Sequence, residues 1–148
     1  MKRSSDKNKG TPRADDLCPN CGATMTLSTL DLPTIVNGEA LRIASVEHLR
    51  CPTCNEVLLS HAQAKALQHR GVEAYRENHA LLAADEIRAL RQKHGLTQAE
   101  LAALLQLGMN TVSRWESGRN AQNGAMDLLL RLLRDVPGTR DYLEKRAA

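Results

Sequence analysis

Four cysteines stand in two matched pairs, Cys18-Pro19-Asn20-Cys21 and Cys51-Pro52-Thr53-Cys54, with 29 residues between the pairs. Two cysteines separated by two residues can turn both sulfurs toward one ion, and a second such knuckle completes a tetrahedron around Zn²⁺ at about 2.3 Å. Proline inside each knuckle fixes its turn, and Gly22 after the first permits a backbone angle that other residues resist. The competing chemistry is a redox dithiol, but that motif normally occurs once and beside a βαβ pattern, which this sequence lacks. Cys18, Cys21, Cys51 and Cys54 are therefore expected to hold one structural zinc per chain. Four thiolates leave no open position for an activated water, so the metal's binding free energy is folding free energy.

A second set of residues suits nucleic-acid recognition. Within LTQAELAALLQLGMNTVSRWESGR, Thr97 and Glu100 have the spacing of a capping box, a strong helix start, and Leu101, Leu104 and Leu105 supply its buried face. Small Ala102 lets a crossing helix approach. After a turn at Gln106-Leu107-Gly108, the pattern predicts a further helix from roughly Met109 to Ser117, ended by Gly118. At 100° per residue Val112 and Trp115 fall on its core side, while Asn110, Ser113, Arg114 and Ser117 fall on the solvent side. Asn and Arg make bidentate contacts with adenine and guanine edges, and the N-terminal part of a recognition helix enters the major groove. Asn110 and Arg114 are thus expected to read bases, with Met109, Thr111 and Ser113 beside them, and Gln98 and Arg119 to meet phosphates. Taken singly, each could belong to the polar face that most surface helices possess. Glu116 is expected either to orient Arg119 or to be solvated.

The elements that must carry these residues differ along the chain. Residues 1 to about 16 are polar and are expected to be a solvated, disordered tail. From Leu17 to about Leu59 short alternating stretches predict strands at Thr24–Leu30, Thr34–Val36 and Leu41–Val46, with Asn37-Gly38 as a hairpin turn. So small a sheet needs a staple beyond apolar burial. From Ser60 onward the pattern is helical: Ser60 caps a helix to about Asn78 that Gly71 interrupts, and Asp85 caps another through His94, closed by Gly95. The division expected is tail 1–16, zinc-binding domain with trailing helix 17–78, connector 79–84 and helix-turn-helix domain 85–148, an α+β protein in two parts. HALLAA at 79–84 is not a flexible-linker composition, which leaves room for the trailing helix to dock on the next domain. Residues 124–136, GAMDLLLRLLRDV, carry Met126, Leu129, Leu130, Leu132 and Leu133 before Pro137-Gly138 stops the helix. This excess suggests a homodimer, as a two-fold DNA site requires; packing within one core explains it almost as well.

Composition narrows the class. Phe is absent, with two Tyr and one Trp, so the core must be aliphatic. The formal charge of +3 is weak evidence, because +2 of it sits in residues 1–16, five Lys/Arg against three Asp. DNA binding therefore rests on local residues. No apolar run approaches the roughly 18 residues of a membrane span and no apolar segment follows the N-terminal charges, so a cytoplasmic protein in a reducing compartment is expected. The five histidines are scattered, and no HExxH, GxSxG or phosphate-binding glycine loop occurs, so neither an enzyme nor a small-molecule substrate is expected.

Residues 96–119 resemble the helix-turn-helix of the Xre/Cro repressor superfamily, with Ala102 and Val112 at its packing positions and Gln106 where that family usually has Gly. Residues 17 to about 145 resemble the MqsA (YgiT-type) antitoxins, including Asp31-Leu32-Pro33 and Gly38 between the knuckles and Asn110 with Arg114 on the recognition helix. The resemblance implies structural zinc on the four cysteines, base reading by Asn110 and Arg114, and dimerisation through the helix-turn-helix half. It also implies that the zinc half neutralises a cognate toxin, often a small ribonuclease, and that the protein represses its own operon as part of a type II toxin–antitoxin system. The chain departs in its polar N-terminal extension and its C-terminal tail. The alternative is a regulator of the same architecture with no toxin partner.

Overall fold

The computed structural model describes residues 16–148; the tail expected over 1–16 lies, but for Asp16, outside the described residues. The fold is α+β, with short strands and the cysteine cluster first and six helices after. No helix among the described residues is long and apolar enough to cross a membrane.

Among the described residues five strands occur: β1 (Thr26–Ser28), β2 (Leu32–Val36), β3 (Glu39–Ile43), β4 (His48–Arg50) and β5 (Val57–Leu58). β1, β4 and β5 form an antiparallel sheet in that order, with Leu27 opposite Leu49 and Leu49 opposite Leu58. β2 and β3 form the expected hairpin. Asn37 and Gly38 at its turn have φ of 49° and 83°, and left-handed conformation at both central residues matches the twist of the flanking strands. Two expectations are corrected. The first strand is three residues long rather than Thr24–Leu30, and the third ends at Ile43 rather than Val46. The reason for the second is local: Ser45 turns at φ 53° and its N–H donates to Asp31 Oδ1 at 3.2 Å, a loop bond that replaces the ladder. β4 and β5 were not expected, because strands of two or three residues are too short to show alternation.

The helices are α1 (His61–Asn78), α2 (Ala84–Lys93), α3 (Gln98–Leu104), α4 (Thr111–Glu116), α5 (Gly124–Asp135) and α6 (Thr139–Ala147). Ser60 caps α1, accepting from the Gln63 N–H at 3.1 Å while Gln63 Oε1 accepts the Ser60 N–H at 2.9 Å. The expected box on α3 is present: Thr97 Oγ1 accepts from Glu100 N and the Glu100 carboxylate from Thr97 N. Asp85 does not cap α2. The helix begins two residues earlier, with Ala83 at the cap and the Glu86 carboxylate accepting the Ala83 N–H at 2.8 Å, while Asp85 pairs with Arg88 in the first turn.

The chain divides into two compact units: residues 16–33 with Arg42–Leu67, and Thr34–Leu41 with Gln68–Ala148. This division runs through α1, upstream of the 79–84 stretch expected as connector. The first unit is built on Cys18, Met25, Leu49 and Cys51, with Ala23, Cys54 and Leu58 against them. Two of the four buried residues in that cluster are cysteines, and the unit's other buried apolar side chains are Leu32, Ile43, Val46 and Leu67, a small core for burial alone to hold. The second unit packs Ile87 and Leu90 of α2, Leu101 and Leu104 of α3, Val112 and Trp115 of α4, and Leu130 and Leu133 of α5 around Leu82. Leu82 lies inside the stretch expected as connector and is buried; its N–H donates to Asp127 Oδ1 and its carbonyl accepts from Gln122 Nε2, each at 2.7 Å. Gly71, which weakened the helical pattern, has a packing reason: a Cβ there would lie 2.5 Å from the Thr34 methyl of β2.

Candidate metal centre and nucleic-acid interface

The two knuckles have the same backbone. In the first, the Gly22 N–H donates to Cys18 O and the Cys18 N–H to Ala23 O, both at 2.8 Å; in the second, Asn55 donates to Cys51 O at 3.0 Å and Cys51 to Glu56 O at 2.9 Å. The residue after each second cysteine is left-handed, Gly22 at φ 76° and Asn55 at φ 62°. Asn tolerates that region better than other non-glycine residues, so Asn55 is the counterpart of Gly22.

This repetition brings the four sulfurs together. All lie within 4.8 Å of one another, with Cys18 and Cys54 Sγ 3.6 Å apart and Cys21 and Cys51 Sγ 3.4 Å apart, and all four cysteines are free. A tetrahedral zinc with sulfurs at about 2.3 Å has S···S edges of about 3.8 Å, and the two shortest pairs stand within about 0.4 Å of that, so the cluster could hold such an ion. The donors around it suit thiolates. The Cys54 N–H, with help from Thr53, pulls the Cys51 thiol down to about 6, and the Asn20 side chain with the Glu56 N–H lowers that of Cys54. At Cys21 the Ala23 N–H lowers the thiol, but neighbouring sulfurs and burial outweigh it and push it up to about 12. Sulfurs this crowded cannot all ionise unaided, and a divalent cation is the group that relieves them.

In the second unit α3, a turn and α4 form a helix-turn-helix. Gln106 adopts φ 57° in that turn, the conformation for which glycine is usual, and its backbone is held by a bond from its N–H to Ala103 O at 3.0 Å. α4 begins at Thr111, two residues after the expected start, with Asn110 at its cap position and no side-chain cap bond. The amide of Asn110 therefore remains outward. Met109 is 71% exposed, and Asn110 and Arg114 are exposed on the face opposite buried Val112 and Trp115. Ser113 is half-buried beside them. Thr111 is half-buried and lines a cleft with Tyr75 and Trp115. Arg119 is exposed beyond the helix end.

Gln98 is less free than expected: its Nε2 donates to Glu116 Oε2 at 2.8 Å. Glu116 is neither solvated nor beside Arg119. Its carboxylate is buried and takes Arg91 Nε at 2.6 Å, with Arg88 Nε at 3.6 Å. Burial would push this carboxyl up, but Arg91, Gln98 and Arg88 together hold it below the usual range. Sequence reasoning missed this acid because its partners lie 25 and 28 residues away on α2. The available signal was two arginines, Arg88 and Arg91, three apart beside the inward Ile87 and Leu90.

These sites define a protein that joins a four-cysteine cluster able to hold a metal ion to a helix-turn-helix. The family model of MqsA, the antitoxin component of bacterial toxin–antitoxin systems, matches residues 17–143. That span covers most of the chain, and the chain belongs to the MqsA antitoxin family. No individual curated protein matches it.

Proposed function

We propose that this antitoxin is a sequence-specific DNA-binding autorepressor whose cysteine unit binds and neutralises a cognate toxin, a ribonuclease. The observation that carries the DNA half is the outward presentation of Asn110 and Arg114 on α4, above a face buried through Val112 and Trp115. Asn110 and Arg114 read base edges in the major groove, with Met109, Thr111 and Ser113 along the same helix start, and Arg119 and the second N–H of Gln98 Nε2 serve the phosphate backbone. Glu116 fixes Gln98 and α4 to one another, so the contacts are preorganised.

Cys18, Cys21, Cys51 and Cys54 would hold one zinc. When bound, it would supply folding free energy to a unit with few buried apolar side chains besides the cysteines, and with four thiolates it would have no position for a substrate. The protein is read as a cytoplasmic non-enzyme. Leu128 and Leu132 of α5, 60% and 40% exposed, seat a second copy, and the homodimer matches a two-fold operator.

The test is co-expression with the product of the adjacent gene, followed by sizing and a ribonuclease assay. A stable complex in which nuclease activity is suppressed supports the antitoxin–ribonuclease reading. A neighbour that neither binds nor cleaves RNA would leave the stand-alone regulator in its place.

A further inference from the structure

Three carbonyls at and beyond the end of α4 are each taken by a side chain from outside the helix-turn-helix. Arg76 Nη2 donates to Trp115 O at 2.9 Å, Gln68 Nε2 to Arg119 O at 2.7 Å, and Asn37 Nδ2 to Ala121 O at 3.0 Å. The first two donors stand on α1 and the third at the turn of the β2–β3 hairpin. Carbonyls at a helix C-terminus lack the regular partner four residues on; the Trp115 carbonyl takes the Gly118 N–H at 3.3 Å and Arg76 at its second lone pair, and Gln68 and Asn37 satisfy carbonyls of the exit. The exit turns at Gly118, φ 70°, where a Cβ would lie 2.7 Å from His69 Nδ1; α1 packs directly on the turn. Arg76 is 3% exposed and also reaches Gln122 Oε1 at 3.4 Å, while Gln122 donates to Asp127 Oδ1 at 3.0 Å. The clamp thereby continues into α5.

We infer that Arg76, Gln68 and Asn37 are positioning residues for DNA recognition, an inference that rests on the DNA-binding reading above. α4 has six residues, under two turns, and a helix that short does not hold its own orientation. The clamp sets the tilt at which Asn110 and Arg114 meet base edges. Bidentate base contacts depend on that tilt, whereas phosphate contacts tolerate more. Operator discrimination in this protein therefore depends on residues of α1 and the hairpin turn that touch no base.

The test uses the full-length, zinc-loaded chain and a duplex that the wild type selects from a random-sequence pool, with a scrambled duplex beside it. Asn37→Gly keeps the left-handed turn and removes the amide, and Gln68→Ala keeps the exposed helix position; neither touches buried Arg76, so the double variant folds. Its selected-to-scrambled affinity ratio should fall about tenfold, the loss of roughly two hydrogen bonds' worth of orientation. Gln68→Lys restores a donor and should hold the wild-type ratio, while Arg76→Lys, which cannot span Trp115 and Gln122 together, should lower it. A merely structural role would reduce both affinities with the folded fraction and leave the ratio unchanged. Amide exchange over residues 115–121 should accelerate in the double variant while that over 98–105 stays as in the wild type. An unchanged ratio, or unchanged exchange, overturns the positioning role and leaves DNA binding standing. A pool from which the wild type selects nothing overturns the DNA-binding reading and this inference with it.

Discussion

Glu116 grips Arg91 with both carboxylate oxygens, Nε to Oε1 at 2.6 Å and Nη2 to Oε2 at 3.0 Å, while its own side chain is 1% exposed. The same carboxylate takes Gln98, so one acid ties α2, α3 and α4 together. Removing one partner of a buried pair leaves the other charged and uncompensated. Glu116→Gln should therefore destabilise the second unit by about 3 kcal/mol. Trp115 is the chain's one tryptophan and is buried in that unit, so urea unfolding followed by its fluorescence reads the loss directly. A change under about 1 kcal/mol, the scale of an exposed pair, would show that the interaction does not support the fold.

Acid should loosen the same unit. Burial would raise Glu116 and Asp127, but Arg91 and Gln98 at the first, and Arg131, the Leu82 N–H and Gln122 at the second, hold both below their ordinary values. A carboxyl depressed in the folded state contributes stability that is complete above its unfolded value, about 4.3 for Glu and 3.9 for Asp, and is lost as pH falls through the folded value. Stability by Trp115 fluorescence should be flat above about pH 5 and decline below about pH 4. Glu116→Gln should flatten part of that decline; a variant with the wild-type acid slope would remove Glu116 from the account.

Cys51→Ser removes one of four converging sulfurs. Zinc content should fall from about one per chain toward zero, and strands β1, β4 and β5 should melt, because Cys51 is also part of that unit's small core. Trp115 fluorescence should stay native. Metal analysis and fluorescence on one sample decide: full zinc occupancy refutes the ligand assignment, and loss of the tryptophan signal refutes the independence of the second unit's core.

Arg114→Ala should leave the fold intact, since the side chain is exposed, yet cost about 1–3 kcal/mol on operator DNA and relax one base position per half-site. Arg119→Ala should weaken all duplexes alike and reduce the salt slope. Titrations against operator and scrambled DNA at two salt concentrations separate the two. Equal losses on both duplexes for Arg114→Ala would exclude base reading by that residue.

Leu128 and Leu132 are one helical turn apart on α5 and both exposed, whereas Leu130 and Leu133 are buried. Leu132→Glu should shift sedimentation from dimer to monomer without changing the thermal midpoint by more than a few degrees. A dimer that survives Leu128→Glu and Leu132→Glu together places the interface elsewhere.

Much of this protein was legible in its residues because the signals were local. CxxC spacing is a statement about four residues of one tight turn, Thr97 and Glu100 bond across three residues, and Asn37-Gly38 carries its turn conformation in its own backbone preferences. The core side of α4 followed from 100° per residue. Glu116, Arg76 and Asn37 were different. Each is a polar residue whose partner lies 25, 39 or 84 residues away, and nothing in a polar side chain says whether water or a distant carbonyl will satisfy it. Nor did the periodicity of α1 show that its second half, from Gln68, joins the helix-turn-helix and the hairpin tip in one compact unit. Helix formation depends on neighbours three and four residues apart, whereas which face becomes buried depends on what the rest of the chain brings against it. Only the tertiary structure supplies those surroundings.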